Sequence, residues 1–503
     1  MPKAGSDCKS GCYPSALDQR LLISKDRRLP ARALRALTLP SEGLTVSAGN
    51  ASSDADVRRD SSGIEHGSAE LTMRRTRWRR TLAAGAAAVA LALLAGCGGA
   101  PAGPPVLNWY INPDDGGQAE IAQRCSAASN GEYSIAVSVL PRQSAEQRQQ
   151  LIRRLAANDS SIDIMSIDPP YIPEFAEAKF LAPVPEDVAR RTTAGIVNSA
   201  KEGASWNGRL VTVPFWANTQ LLWYRKSQVA GTGLDMSRPV TWDQVVAAAR
   251  SKNSIVAAQG IRAESLTVWL NALVESGGGQ IITNASPQDP EGVQLGLDSP
   301  AATKAAEIMK VVSAVGGPGF STNSEDENSN AFQAGEAMFQ VNWPFVWGKV
   351  NSAVEAGTVP QSTPDDFGAA LYPQTEAGRP SSPPYGGINL GVGAFSNHVD
   401  LAYKATECIV STENQKQYFL TNGNPAARIS VFTDPDVVKK FPMAPVIAQS
   451  LQQAKPRPQT PYYSEVSESI QRTYHPTAGI DPPTVGPATA ALIKAVLAKE
   501  ELL

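Results

Sequence analysis

Between Val213 and Lys226 the chain reads VPFWANTQLLWYRK, and this stretch limits what the whole can fold into. A Pro and two aromatics lead into a polar step, Asn218-Thr219-Gln220. The apolar run Leu221-Leu222-Trp223-Tyr224 follows, closed by Arg225 and Lys226. A short apolar run bounded in this way reads as a buried strand. A polar step at its entrance suits a strand that leaves one globular unit for another beside a polar cleft. The stretch is therefore read as a hinge: the chain before it builds one wall of a cleft, and most of the chain after it builds the other.

Strand and helix signals alternate before the hinge. Residues 106–111, 134–140 and 162–167 read as strands. Residues 118–126 and 144–158 read as helices, the second capped by Ser144 with Leu151, Ile152 and Leu155 on one face. Such alternation predicts a parallel sheet flanked by helices. Ligands in these sheets bind beyond the carboxyl ends of strands, and Asn112, Asp114, Asp168 and Tyr171 all follow strand ends. Beyond the hinge, Thr241 caps a helix to Ala249, residues 255–258 and 336–341 read as strands, and residues 264–275 and 299–312 as helices, the last with Pro near its start. The strand 336–341 empties into Asn342-Trp343, which would lay an indole out as a platform. Residues 385–392 read as a second crossing between lobes, residues 402–420 as one long helix, and the Pro-rich stretches 360–384 and 455–462 as surface loops.

The ends of the chain differ in charge. Residues 1–96 hold 15 Lys and Arg against 9 Asp and Glu, so with −3 overall the remainder carries −9. An acidic body without a Lys/Arg cluster argues against a nucleic-acid partner. Within the basic part, Met73 opens a run rich in Arg, an apolar stretch of 14 residues follows from Leu82 to Ala95, and Leu94-Ala95-Gly96-Cys97 ends it. The apolar run is shorter than the roughly 20 residues a spanning helix needs, and its basic flank fits a signal peptide over residues 73–96. Small residues directly before a Cys resemble a bacterial lipobox. Cleavage is then expected before Cys97, which would receive lipid, and residues 97–105 would form a tether; the alternative is an ordinary secretory signal. Stable anchoring needs more than one acyl chain. Residues 1–72, with no sustained periodicity, read as a disordered or untranslated leader. Beside the anchor, Cys125 and Cys408 remain, each on an expected helix. An oxidising compartment lets such a pair bond, and a disulfide is expected; the alternative is two buried thiols.

The ordered set DIMSIDPPY, VPFWANTQLLWYRK, TWDQ, ESLTVWLNAL, FQVNWPFVW, YGGINLGVGAF and GNPAARISVF, together with the lipobox, resembles the extracellular solute-binding proteins of carbohydrate ABC importers, the maltose-binding class. Within that class the likeness is strongest to trehalose-binding lipoproteins. It implies a two-lobed, periplasmic-binding-protein-like α/β fold, each lobe a sheet flanked by helices and joined by hinge strands. Lobe I is expected over 106–217 with 389–423, and lobe II over 218–388 with 424–503. It also implies a ligand-binding protein and not an enzyme, without cofactor or metal, acting as a monomer. The expected partners are a neutral disaccharide, trehalose first, and the transmembrane subunits of an ABC permease; the membrane is reached through lipid on Cys97, at the outer face of the cytoplasmic membrane.

Carried over residue by residue, the resemblance nominates Asp168 and Glu264 as carboxylates for sugar hydroxyls, Asn218 as a polar hinge contact and Trp343 as a stacking aromatic. Asn112, Gly386, Gly387 and Arg428 would border the same cleft, and Tyr462-Tyr463 matches another aromatic only loosely. Sugar hydroxyls both donate and accept, so carboxylates and amides can satisfy them, and an unpaired partner costs about 1–3 kcal/mol. Each nomination has a structural alternative. Asp168 could cap a turn, Glu264 its own helix, Asn218 could serve hinge backbone, Trp343 could be core, and Arg428 could sit in a surface or interlobe ion pair. The sequence contains no G-x-S-x-G, P-loop or H-E-x-x-H signature. An Asp/Glu pair could still hydrolyse a glycoside, so a secreted glycosidase stays open, as does a binding protein for maltodextrin or another sugar.

Overall fold

The computed structural model describes residues 103–284 and 288–503. The leader, the signal peptide, Cys97 and all of the tether before Gly103 lie outside the described residues. Among the described residues no helix is long and apolar enough to cross a membrane.

The strands, in chain order, are β1 (Val106–Ile111), β2 (Ser134–Val139), β3 (Ile164–Ile167), β4 (Ser205–Trp206), β5 (Arg209–Leu210), β6 (Val213–Thr219), β7 (Leu221–Arg225), β8 (Ile255–Ala257), β9 (Ala337–Asn342), β10 (Phe367–Ala370) and β11 (Tyr385–Val392). Five of them form one sheet, ordered β2-β1-β3-β11-β6, and four form a second, ordered β10-β7-β9-β8. Strands β1, β2 and β3 run parallel, as the alternation predicts. Strand β11 does not: it is antiparallel to both β3 and β6. It enters from the second lobe, without the crossover helix a parallel neighbour requires.

Both faces of the first sheet are covered. Leu107, Trp109 and Ile111 of β1 join a core with Ile121, Phe215 and Tyr403, whereas Tyr110 faces Leu151, Leu155 and Phe175. The second lobe has its own core around Trp242, Trp269, Leu273, Met309 and Phe339. Local signals account for several helix starts. Thr241 and Gln244 form a capping box at helix Trp242–Ser251, and Ser299 caps Pro300–Ser313. Ser144, expected as a cap, is instead the first residue of Ser144–Ala156, which lacks a side-chain cap. The single long helix expected over 402–420 is two, Val399–Ile409 and Thr412–Asn422, because the Ser411 side chain accepts from Asn414 N and starts a new helix.

Among the described residues the chain passes between the sheets three times. The first passage is at Gln220, between β6 and β7, two residues past the expected boundary at 217/218. The second is at Pro384, since all of β11 from Tyr385 lies in the first sheet, earlier than the expected 388/389. The third is the segment 454–462, well past the expected boundary at 423/424 because residues after Gly423 still pair with β6 through Trp216 and Ala426; it leads to helix Tyr463–Tyr474 packed against helix Glu264–Ser276. These passages lie side by side. Thr219 pairs with Tyr385 in the ladder, Pro384 bridges Lys455, and Tyr385 N donates to Lys455 O at 2.8 Å. The segment expected as a surface loop, 455–462, is thus partly buried: Arg457 is 4% exposed and Thr460 is fully buried.

Cys125 and Cys408 form a disulfide with a Cα–Cα distance of 5.8 Å. It ties helix Gly117–Ala128 to helix Val399–Ile409, so the returning chain is clamped to the start of the first lobe.

Candidate functional site

The two sheets face each other across a cleft of about 710 Å³. Of the nominated residues, Asn112, Asp168, Asn218, Glu264, Trp343, Gly386 and Gly387 line it, and Arg428 does not. Asn112 follows β1 and Asp168 follows β3, at the carboxyl ends of parallel strands where the sheet rule places ligands. Glu264 is the first residue of helix Glu264–Ser276, and Trp343 directly follows β9. Asn218 and Gly386 are partners in the β6–β11 ladder beside the first crossing.

A guanidinium absent from the sequence-based site stands at its centre. Arg457 Nη1 donates to Glu264 Oε1 at 2.6 Å and to Asp168 Oδ2 at 3.2 Å. Its Nη2 donates to Asp168 Oδ1. The Tyr463 hydroxyl also donates to Glu264. One carboxylate belongs to each lobe, and Arg457 arrives on the third crossing, so this cluster ties both walls together. Neither carboxylate caps its own element: the turn after Asp168 and the helix begun at Glu264 have no side-chain cap. Burial lifts the Asp168 carboxyl to about 6; Arg457 pulls against this and Glu264 adds to it. Burial disfavours the Arg457 charge, but Asp168 and Glu264 overcome it and hold the group well above its ordinary value. Arg457 lies in KPRPQTP, where three prolines stiffen the backbone around one cation. That pattern was the one signal in the sequence that could have marked it.

Trp343 presents its ring to the cleft and donates from Nε1 to Glu325 Oε1 at 2.8 Å. Gly386 matters for what it lacks, since a Cβ there would sit 2.9 Å from Trp343 Cη2. Gly387 has φ 111°, and a Cβ on it would lie 2.2 Å from Trp216 O, a close approach only glycine allows. Asn218 Oδ1 accepts from Thr219 N at 3.0 Å, so that oxygen serves the hinge backbone, as its structural alternative held. The buried Oδ1 of Asn112 makes no hydrogen bond among the described residues. At the mouth, Arg142 of the first lobe approaches Asp326 of the second at 3.5 Å, and Lys349 holds the same carboxylate at 3.0 Å.

Arg428 serves elsewhere. Its Nη1 donates to Ala194 O at 2.8 Å and its Nε to Val410 O at 3.3 Å. Ala194 and Val410 are the C-terminal caps of helices Glu186–Thr193 and Val399–Ile409. A cation is stabilised at helix C-termini by the partial negative charge of unpaired carbonyls. That local demand, and not the cleft position expected for it, takes the side chain, and its partners are carbonyls instead of the ion pair of the alternative reading.

A family model described as bacterial extracellular solute-binding protein matches residues 121–416. A probable ABC transporter-binding protein of Deinococcus radiodurans is 25% identical over 283 residues, covering 52% of this chain and 63% of that protein. A maltotriose-binding protein of Pyrococcus abyssi is 27% identical over 309 residues, covering 60% of this chain and 62% of that protein. The aligned chain thus spans under two thirds of either relative. Among solved structures, maltose-bound MalE3 of T. maritima superposes with a TM-score of 0.66 at 24% identity, over 79% of this chain and 100% of that one. The GacH receptor of Streptomyces glaucescens, solved unliganded and with acarbose, gives 0.65 at 18% identity over 79% and 100%. At these identities the likeness establishes the two-lobed α/β fold of maltose-binding proteins.

Proposed function

Because the chain belongs to the bacterial extracellular solute-binding protein family, we propose that it is the lipid-anchored receptor of a carbohydrate ABC importer. It would close on a neutral disaccharide and hand it to the permease subunits. The observation that carries this reading is the make-up of the cleft: carboxylates from both walls, two asparagines and an indole share one space of about 710 Å³. Acceptors and donors on facing walls suit a ligand covered in hydroxyls, and the indole suits the apolar C–H face of a pyranose. Trehalose is the first candidate, on the resemblance of the hinge, NWPFVW and YGGINLGVGAF to the trehalose-binding lipoproteins of mycobacterial trehalose-recycling importers. The names of the maltotriose- and maltose-binding relatives point to the same class of ligand. Lipid on Cys97 would hold a monomer at the outer face of the cytoplasmic membrane.

Calorimetric titration of the purified protein with trehalose, maltose and maltotriose tests this. Saturable one-to-one binding of trehalose in preference to the others is expected. Binding of maltotriose alone would move the substrate to maltodextrins. The rival reading, a glycosidase working with Asp168 and Glu264, gains from two carboxylates at one site. Both are paired with Arg457, however, Asp168 through both oxygens and Glu264 through Oε1. Glucose released from trehalose by the wild type and not by Asp168→Asn would establish the enzyme instead.

A further inference from the structure

We propose that Glu325 is a positioning residue for the cleft: it fixes the pose of the Trp343 indole, with Gly386 of the opposite lobe as the stop at the other end of the ring. The inference rests on the sugar-binding reading for its functional consequence, but its geometry stands apart from it.

Glu325 opens helix Glu325–Ala334, where an acidic residue is favourable by charge alone. The helix start is already satisfied without it. Ser324 caps the backbone and exchanges hydrogen bonds with Glu327 in a capping box. The Glu325 side chain turns instead towards the cleft and accepts from Trp343 Nε1 at 2.8 Å. The first turn of the same helix is tied to the end of β9, because Asn342 Nδ2 donates to Glu325 O at 3.0 Å. The acceptor and the indole that it orients are therefore on one rigid unit. At the far edge of the ring, Trp343 Cη2 and Cζ3 lie 2.9 and 3.0 Å from where a Gly386 Cβ would be. A planar ring held at its N–H by a half-buried acceptor and blocked at its benzene edge by bare backbone has one pose. A carboxylate on the indole N–H also makes the ring more electron-rich, which strengthens its contact with polarised sugar C–H groups.

The test uses Glu325→Ala and Glu325→Gln. The glutamine keeps an acceptor oxygen at the same reach, while the alanine removes it. Near-ultraviolet circular dichroism of ligand-free protein reads the pose directly: the difference spectrum between wild type and Trp343→Phe isolates the band of this one indole. That band should collapse in Glu325→Ala and survive in Glu325→Gln. Affinity for trehalose, measured by titration, should fall about tenfold or more in Glu325→Ala and stay within about threefold in Glu325→Gln. An unchanged Trp343 band in Glu325→Ala, or equal losses of affinity in the two variants, would overturn the proposal. If neither trehalose nor maltose binds the wild type, the functional reading fails, and the ligand-free spectra still decide whether Glu325 sets the indole.

Discussion

Arg428 and Arg457 lie 29 positions apart in the last fifth of the chain, and each feeds its guanidinium into a polar junction, half-exposed at Arg428 and buried at Arg457. Around Arg428 the partners are main-chain oxygens at two helix ends of one lobe. Around Arg457 they are two carboxylates from opposite lobes. Carbonyl dipoles are permanent and partial, so the Arg428 junction is insensitive to pH and to what enters the cleft. Carboxylates carry full charge, can be protonated, and face the space a ligand would occupy. The same residue type is therefore a structural pin in one region and the electrostatic centre of the candidate site in the other.

The sharpest way to break this contrast is to remove the central cation. Arg457→Met should destabilise the protein by about 3–5 kcal/mol, because it strands two buried carboxylates. Adding Asp168→Asn and Glu264→Gln should recover most of that. Denaturant midpoints measure both, and a loss below about 1 kcal/mol would make the two arginines equivalent. Opening the disulfide with Cys125→Ser and Cys408→Ser should cost about 2–4 kcal/mol. Its 283-residue separation closes a long loop, and it secures the helix whose end Arg428 caps. Trehalose affinity should be largely kept, since both sulfurs lie outside the cleft lining.

The pH response sharpens the comparison next. In the folded protein Asp168 keeps its proton up to about pH 6, and in the unfolded chain only to about 4. Between those values the folded state binds the extra proton, so this group makes stability fall as pH rises, by about 3 kcal/mol at most. Denaturation of wild type and Asp168→Asn at pH 4.5 and 7 should show a steeper fall in the wild type, over the shared contribution of Glu275, whose carboxyl burial lifts to about 7. The smallest effect belongs to Arg428→Ala. It should cost under about 1 kcal/mol, because water can replace the guanidinium at the exposed Ala194 carbonyl, with no pH slope of its own and no change in sugar affinity. A larger loss in the background without the disulfide would show that the two devices hold the same helix end.

Much of the architecture was legible because its signals are local. The apolar run after Gln220, the Thr241-Gln244 capping box and the strand at Tyr385–Val392 each depend on neighbours in sequence. So does the placement of Asn112 and Asp168 at strand ends. What escaped depends on distant partners. Asp168 and Arg457 are 289 residues apart, and a Pro-rich segment gives no periodic sign that it will be buried between lobes. Arg428 misled for the converse reason: the resemblance carried it to the cleft, while the carbonyls that claim it belong to helices ending at Thr193 and Ile409. The antiparallel sense of β11 was hidden as well, because direction within a sheet is set by where the chain enters and not by strand composition.

The three passages between the sheets carry a mechanical consequence. They are neighbours in a row, Thr219 against Tyr385 and Pro384 against Lys455, like the knuckles of a door hinge on one pin. Swinging about the line through them needs small rotations in a few residues, whereas twisting or sliding one half past the other would stretch all three at once. Closure of the proposed receptor would then have a single easy degree of freedom and would bring the same atoms back to the same places.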